Sequence, residues 1–195
     1  MNISGIVMAS GLSKRMNQNK LHMKIKDKKI YEYILETLKM CSCLNEVIVV
    51  AKDSEILEKA NSLNFKLVHN QHSYLGQSNS IKLGLEISKN ADGYMFFVAD
   101  QPFIKEETIN KLCSIFNDNL NKIIIPCYNG KHGNPVIFSK NFKEELMNIE
   151  GDKGGRVVIN NNLQDVIKVQ FEDEKEFVDI DTIEDYNSII KKVMS

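Results

Sequence analysis

Ile3-Ser4-Gly5-Ile6-Val7-Met8-Ala9 begins the stretch of sequence that decides the fold, and Ser10-Gly11-Leu12-Ser13-Lys14-Arg15-Met16-Asn17-Gln18-Asn19-Lys20 follows it directly. The first part is apolar except at Ser4 and Gly5, as is typical of a parallel strand that is buried on both faces. The second part begins with the small residues Ser10, Gly11 and Ser13 and continues with the basic residues Lys14, Arg15 and Lys20. The stretch therefore predicts a buried strand that ends in a loop with the composition of a binding site.

Anion binding is one interpretation of this loop. Gly11 is able to adopt positive φ, and successive backbone N–H groups beside Ser10 and Ser13 can form a concave nest for phosphate oxygens. Arg15 would grip a phosphate with two hydrogen bonds, and Lys20 would add a point charge. The alternative is an ordinary strand-to-helix turn with solvated lysines, and the spacing alone leaves both open. The loop has neither the P-loop pattern nor the Gly-x-Gly-x-x-Gly pattern.

Composition limits the classes of function. The chain has 195 residues with a hydrophobic fraction of 43%, which predicts one domain with a sizeable core. A net charge of −1 gives no electrostatic reason to expect nucleic acid or a membrane as the partner. We see neither a membrane-spanning run nor a signal-peptide pattern. The four cysteines have no metal or redox spacing and are interpreted as reduced structural thiols, so a cytoplasmic location is expected.

Apolar runs alternate with helical patterns along the chain. The predicted strands lie at 3–9, 21–25, 46–51, 65–68, 94–99, 122–128, 135–139 and 166–171, and the predicted helices at 30–41, 54–63, 78–88, about 109–116, 142–147 and from 182 onward. This alternation predicts an α/β fold: a mostly parallel central sheet with helices on both faces, as in a Rossmann-like three-layer sandwich. Ligands of such sheets bind beyond the carboxyl ends of the strands.

Two carboxylates are candidates for a metal site. Asp100 directly follows the most apolar strand, which is a suitable place for an Mg²⁺ ligand, although composition alone slightly favours a turn-forming aspartate before Pro102. Near the other end of the chain, alternation along an extended segment would put Asp179 and Asp181 on the same side. Asp185 then begins the last helix as the partner of Thr182 in a capping box.

Two further segments carry small and polar residues. Gly76-Gln77-Ser78-Asn79-Ser80 precedes a helical pattern, where hydroxyls and backbone groups can bind a nucleobase edge or a phosphate. Simple capping of the helix by Ser78 is the alternative. In the second half, His132-Gly133-Asn134 and 151–156 are glycine-rich loops. Arg156 in the latter is either a ligand contact or a surface ion pair of little energetic value.

These segments together resemble the MobA-like nucleotidyltransferases of the glycosyltransferase-A-like superfamily. The similarity extends from residue 3 to residue 186 and departs from the usual pattern at Ser10, at Asn17 (usually glycine) and at Ile183 (usually proline). The motifs that carry it are Met8-Ala9-Ser10-Gly11-x-Ser13-x-Arg15-Met16 with Lys20, Gly76-x-Ser78-x-Ser80, Asp100-Gln101-Pro102, His132-Gly133-Asn134-Pro135-Val136, Gly151-Asp152-x-Gly154-x-Arg156 and Asp179-Ile180-Asp181-Thr182.

The resemblance implies a site divided between two halves of one domain (1–195): a nucleotide-binding half at about 1–100 and an acceptor-binding half at about 101–195. The implied catalytic residues are Arg15, Lys20 and Asp100. The implied nucleotide-binding residues are Ala9, Ser10, Gly11, Ser13, Arg15, Lys20, Gly76, Gln77, Ser78, Ser80 and Asp100. Asp100 and Asp181 would bind Mg²⁺, and the acceptor would contact His132, Gly133, Asn134 and Arg156.

The resemblance also implies the reaction. The second-half loops are similar to those of the molybdenum-cofactor branch, which implies CMP transfer from CTP to a molybdopterin-type cofactor, with a molybdenum hydroxylase as a possible recipient. GTP as the nucleotide, and a sugar or alcohol phosphate as the acceptor, stay open. A non-catalytic carrier of the cofactor is the alternative from another class.

Overall fold

The computed structural model describes residues 1–11, 16 and 19–194, with side chains up to residue 191. Of the predicted site residues, Ser13 and Arg15 lie outside the described residues. The described chain forms an α/β fold, and Asn134-Pro135 is a cis peptide bond.

One large sheet forms the centre of the described structure. Its strands are β1 (Ile3–Ala9), β4 (Glu46–Ala51), β5 (Lys66–His69), β6 (Gly93–Val98), β7 (Ile123–Tyr128), β8 (Lys131–His132), β9 (Val136–Ser139) and β10 (Val166–Gln170). Their order is β10-β7-β9-β6-β1-β4-β5, with β8 paired to β7. Strand β9 runs antiparallel to both of its neighbours, whereas β1 runs parallel to β4 and β6. The predicted mostly parallel sheet is confirmed.

Helices cover both faces of this sheet. Alternate residues of β1 divide between two cores, because Val7 points to one face and Ile6 to the other. The first face holds α1 (Ile30–Met40), α2 (Ser54–Ser62), α4 (Glu106–Asn117) and α7 (Ile183–Met194), and the second holds α3 (Gln77–Ile87), α5 (Lys143–Met147) and α6 (Arg156–Asn161). The three-layer arrangement predicted from the sequence is therefore confirmed.

Several local predictions were wrong. The segment 21–25 forms a 3-10 turn (Lys20–His22) and then a two-residue hairpin of β2 (Lys24–Ile25) with β3 (Lys28–Lys29). Helix α6 lies where only a loop ending at Arg156 was predicted. The segment 178–181, where alternation predicted a strand-like conformation, follows a 3-10 turn and has no strand partner among the described residues.

Candidate active site

Lys20 stands at the centre of the candidate site, between the two predicted metal ligands. Its Nζ donates to Asp100 Oδ2 at 2.5 Å and to Asp181 Oδ1 at 2.9 Å. These residues are 80 and 161 positions from Lys20 in the sequence. The fold therefore brings together three residues that the sequence singled out separately.

Backbone hydrogen bonds hold the two carboxylates near each other. Asp100 follows the end of β6, and its carbonyl accepts a hydrogen bond from Ile180 N at 3.2 Å. Asp181 and Thr182 donate their backbone N–H groups to Asp185 Oδ2 at 3.1 and 2.8 Å, while Asp185 N donates to Thr182 Oγ1. The predicted capping box is confirmed, and it fixes Asp181 at the beginning of α7.

Electrostatics in this cluster favour a cation. Burial alone would lower the pKa of Lys20, but the charge of Asp100 and the hydrogen bonds to Asp100 and Asp181 raise it above its usual value. Asp179 lies close by, and burial together with the charges of Asp100 and Asp181 raises its pKa to about 6. Lys20 therefore stays protonated at neutral pH, surrounded by carboxylates.

The donor set fits a hard divalent cation. Asp100 and Asp181 offer carboxylate oxygens, which Mg²⁺ and Mn²⁺ prefer. The described residues contain no group of three or more His, Cys, Asp or Glu side chains that would hold a metal ion without other ligands. Two carboxylates with the remaining positions filled by water and phosphate oxygens is the usual arrangement for Mg²⁺ in phosphate sites.

A cavity of about 410 Å³ surrounds this cluster. The predicted residues that line it are Ser10, Gly11, Lys20, Gly76, Gln77, Ser80, Asp100 and Asp181. The hydroxyl of Ser10 donates to Val50 O at 3.1 Å, so Ser10 is anchored to β4. No described residue comes within 4 Å of a Cβ built on Gly11, and the positive φ considered for it occurs instead at Gly76.

Ala9 and Ser78 are placed differently from the other predicted nucleotide contacts. Ala9 packs in the core at the end of β1, and Ser78 is buried, and neither lies among the residues that line the cavity. Ser78 does not cap α3, because the helix begins at Gln77 with Gly76 as its N-cap. Its backbone N–H donates to Gly151 O at 3.1 Å, so Ser78 connects the two halves of the site.

A second cavity, of about 370 Å³, lies beside the first. All four predicted acceptor residues line it: His132, Gly133, Asn134 and Arg156. The other lining residues include the apolar side chains of Phe96, Ile125 and Phe138 and the polar side chains of Gln77 and Asp152. Burial, assisted by the nearby charges of Lys168 and Arg156, lowers the pKa of His132, so a neutral imidazole faces this cavity at pH 7.

Three residues line both cavities, namely Met8, Gln77 and Asp152. Gln77 Nε2 lies 3.9 Å from Met8 Sδ, so these two side chains form part of one wall. Gln77 was predicted, but Asp152 was not assigned a role, although it stands in the same glycine-rich motif as Arg156. A carboxylate between glycines in a binding loop was the signal that would have found it.

Asn70 is a second residue that the sequence analysis missed. It is completely buried, its Nδ2 donates to Ser80 Oγ at 3.1 Å, and its Oδ1 accepts from Asn79 Nδ2 at 2.7 Å. Ser80 also lines the first cavity. Because the Ser80 hydroxyl oxygen accepts the hydrogen bond from Asn70, the hydroxyl hydrogen of Ser80 remains able to donate to another acceptor. A polar residue directly after β5 was the available signal.

The chain is similar to several known proteins. The probable molybdenum cofactor guanylyltransferase of Natranaerobius thermophilus is 30% identical over 75% of this chain and 73% of its own length. The molybdenum cofactor cytidylyltransferase of Escherichia coli is 27% identical over 94% of this chain and 93% of its own length. The crystal structure of Rv0371C from Mycobacterium tuberculosis in complex with manganese has the same fold, with a TM-score of 0.78, 18% identity and coverage of 98% and 99% of the two chains.

The two sequence relatives place the protein among the nucleotidyltransferases. Within that class the chain belongs to the MobA-like NTP transferase family, because the profile of that family's domain matches residues 5–166. The family resemblance predicted from the motifs is confirmed. None of the described helices has the length and apolar character needed to cross a bilayer.

Proposed function

We propose that this protein transfers CMP from CTP to a molybdopterin-type cofactor and releases pyrophosphate. The observation that carries the proposal is the pair of adjoining cavities at the strand ends: Lys20 lies between two carboxylates in the first, and His132, Gly133, Asn134 and Arg156 line the second. We assign the first cavity to the nucleoside triphosphate and the second to the phosphorylated heterocycle that accepts the CMP.

The nucleotide would bind in the first cavity with its phosphates toward Lys20. The ammonium group, assisted by Arg15 and the backbone around Ser10 and Gly11, stabilises the charge that develops on the α-phosphate and on the leaving pyrophosphate. A cation at Asp100 and Asp181 would neutralise phosphate charge there, and we propose Mg²⁺ for this role. The base would contact Ser80 and the polypeptide around Gly76 and Gln77.

The acceptor would bind in the second cavity. Arg156 is suited to a phosphate or to ring oxygens, and the neutral His132 beside the Gly133–Asn134 backbone is suited to hydrogen bonding with a heterocycle. The acceptor's phosphate oxygen attacks the α-phosphorus, and the bond from that phosphorus to the pyrophosphate oxygen breaks. A phosphate nucleophile is ionised at neutral pH, so positioning and electrostatics are sufficient without a general base.

GTP is the second candidate nucleotide, since one of the relatives quoted above is a probable guanylyltransferase. The cytidylyl relative covers more of the chain, and Ala9-Ser10 differs from the paired glycines of the guanylyl form. A molybdenum hydroxylase would receive the product. The carrier alternative is disfavoured, because storage alone requires neither Lys20 nor the two carboxylates.

Pyrophosphate release tests the proposal. Purified protein would be incubated with molybdopterin-type cofactor, Mg²⁺ and either CTP, GTP, ATP or UTP, and the release of pyrophosphate would be followed in each mixture. We expect release of pyrophosphate in the mixture that contains CTP and not in the mixtures that contain the other three nucleotides. Release with GTP alone would move the assignment to guanylyl transfer. Nucleotide binding without release, equally strong with and without Mg²⁺ in a thermal-shift assay, would favour the carrier.

A further inference from the structure

His22 lies at the centre of a polar network that the sequence analysis did not use. Its Nε2 donates to Asp53 Oδ2 at 2.7 Å, and its Nδ1 lies 3.3 Å from Glu55 Oε2 and 3.4 Å from Lys29 Nζ. Tyr31 packs edge-on against the ring, with centroids 5.7 Å apart, and its hydroxyl donates to Glu55 at 3.1 Å. The imidazole therefore contacts three separate elements: the beginning of α2, β3 and α1.

The histidine belongs to the same 3-10 turn as Lys20. In a turn with three residues per revolution, side chains two positions apart leave in different directions. Lys20 reaches Asp100 and Asp181, whereas His22 reaches Asp53, and Leu21 between them is buried. The turn is thus attached to the strand ends on one side and to α2 on the other.

The contacts of Asp53 and Asn19 strengthen this attachment. Asp53 caps α2 by accepting a hydrogen bond from Glu55 N at 3.0 Å, so its carboxylate is already fixed before it meets His22. Asn19 Nδ2 also donates to Asp53, at 3.4 Å. Burial would raise the pKa of Asp53, but its hydrogen bonds to His22 and to the Glu55 backbone lower it overall. A charged acceptor therefore holds the histidine at neutral pH.

We propose that His22 is a positioning residue: it ties the Lys20 turn to the beginning of α2 and thereby places the Lys20 ammonium against the phosphates. His22 does not line the nucleotide cavity, so it acts through Lys20. The functional part of this inference rests on the role proposed for Lys20, whereas the tether itself does not. Transition-state stabilisation depends on placement within about 1 Å, so loosening the turn lowers kcat more than it weakens binding.

Chemical labelling of Lys20 tests the tether without any substrate. An amine-reactive ester at fixed pH labels Lys20 slowly in the wild type, because the ammonium is shielded and its pKa is raised. In His22→Ala we expect labelling of Lys20, measured by mass spectrometry, to be about fivefold faster, which corresponds to the loss of one hydrogen bond with a net contribution of about 1 kcal/mol. His22→Gln keeps an N–H donor for Asp53 and should label close to the wild-type rate.

His69→Ala is the matched control. His69 ends β5, is exposed, and its ring contacts Lys52 O at 3.2 Å, with no described bond to the Lys20 turn. Labelling of Lys20 in this variant should equal the wild-type rate. Equal labelling of Lys20 in His22→Ala and His69→Ala would overturn the inference, whatever the activity of the variants.

Turnover distinguishes this inference from the function on which it rests. We expect kcat for pyrophosphate release to fall about tenfold in His22→Ala with KM for the nucleotide within about twofold. In a Lys20→Ala background the same change should have no further effect, and an additional fall would refute action through Lys20. Faster labelling in His22→Ala, combined with full activity in Lys20→Ala, would leave the tether standing and remove Lys20 from the proposed mechanism.

Discussion

Replacing Gly76 by alanine should push the Gly76 loop away from the Gly151 loop, and the resulting loss in the free energy of unfolding can be worked out from the structure. Gly76 has φ +94° and ψ −175°, a combination that is close to exclusive to glycine. A Cβ there would lie 2.4 Å from the carbonyl carbon and oxygen of Gly151, and real Cβ contacts essentially never fall below 3.0 Å. The Gly151 backbone would have to retreat, and its hydrogen bond with Ser78 N would weaken.

The backbone strain costs roughly 1–3 kcal/mol and the hydrogen bond about 1 kcal/mol, so the free energy of unfolding should fall by about 3 kcal/mol. For a chain of this length, that corresponds to a decrease in Tm of roughly 6–12 °C. Urea denaturation and a thermal scan measure both quantities. KM for both substrates should also rise, because Gly76 and Gly151 belong to opposite sides of the site.

Two glycines provide matched controls. Gly130 and Gly151 have φ values of +75° and +66°, and no described atom lies within 4 Å of a Cβ at either position. Alanine at these positions should cost only the positive-φ strain, about 1 kcal/mol. If Gly76→Ala were no less stable than Gly130→Ala, the close approach of the two loops would not carry the energy assigned to it.

Three further predictions concern charged side chains. Asp100→Asn should lower pyrophosphate release by about 10²-fold or more without lowering Tm, and near-normal turnover would remove Asp100 from the metal site. Glu46 accepts a hydrogen bond from Ser4 Oγ at 2.5 Å and forms an ion pair with Lys66. Burial would raise the pKa of Glu46, but these partners lower it overall. The ionised Glu46 therefore stabilises the fold above its unfolded pKa, and this contribution is lost as the pH falls through the folded pKa. Between pH 5 and pH 3, the Tm of Glu46→Gln should therefore decrease less than the Tm of the wild type. An equal decrease in Tm for the two proteins would contradict this prediction. Arg156→Ala should raise KM for the acceptor about tenfold while leaving KM for the nucleotide unchanged, and the opposite pattern would reverse the assignment of the two cavities.

Much of the fold could be predicted from sequence because its strands are strongly apolar and its helices strongly periodic. β1, β4 and β6 were found within a residue of their ends, since burial on both faces leaves little choice of residue type. The turn at Lys20–His22 overlaps the predicted strand 21–25, because five alternating residues are too few to distinguish a strand from a turn. Helix α6 was missed because six residues contain less than two turns of periodic pattern.

The sequence predicted site residues that come directly after a strand. It did not predict which of these residues contact each other in the folded protein. Asp100 follows β6, and the sequence therefore pointed to it, whereas the convergence of Lys20 on Asp100 and Asp181 depends on how the whole sheet is assembled. His22 matched no ligand spacing, and only the structure shows Asp53 beside it. Asn70 directly follows β5 and Asp152 lies in a glycine-rich loop, so the sequence carried a signal for both, but only the structure shows the contact of Asn70 with Ser80 and the position of Asp152 between the cavities.

Met8, Gln77 and Asp152 line both cavities, and this shared wall has a consequence for binding. A side chain has one conformation at a time, so the molecule occupying one cavity decides the surface that its neighbour meets. This influence is reciprocal: a compound that increases the binding affinity for a second compound is itself bound more tightly, by the same factor, when the second compound is present. For the proposed reaction, the coupling between nucleotide and acceptor would therefore pass through a partition only a few side chains wide.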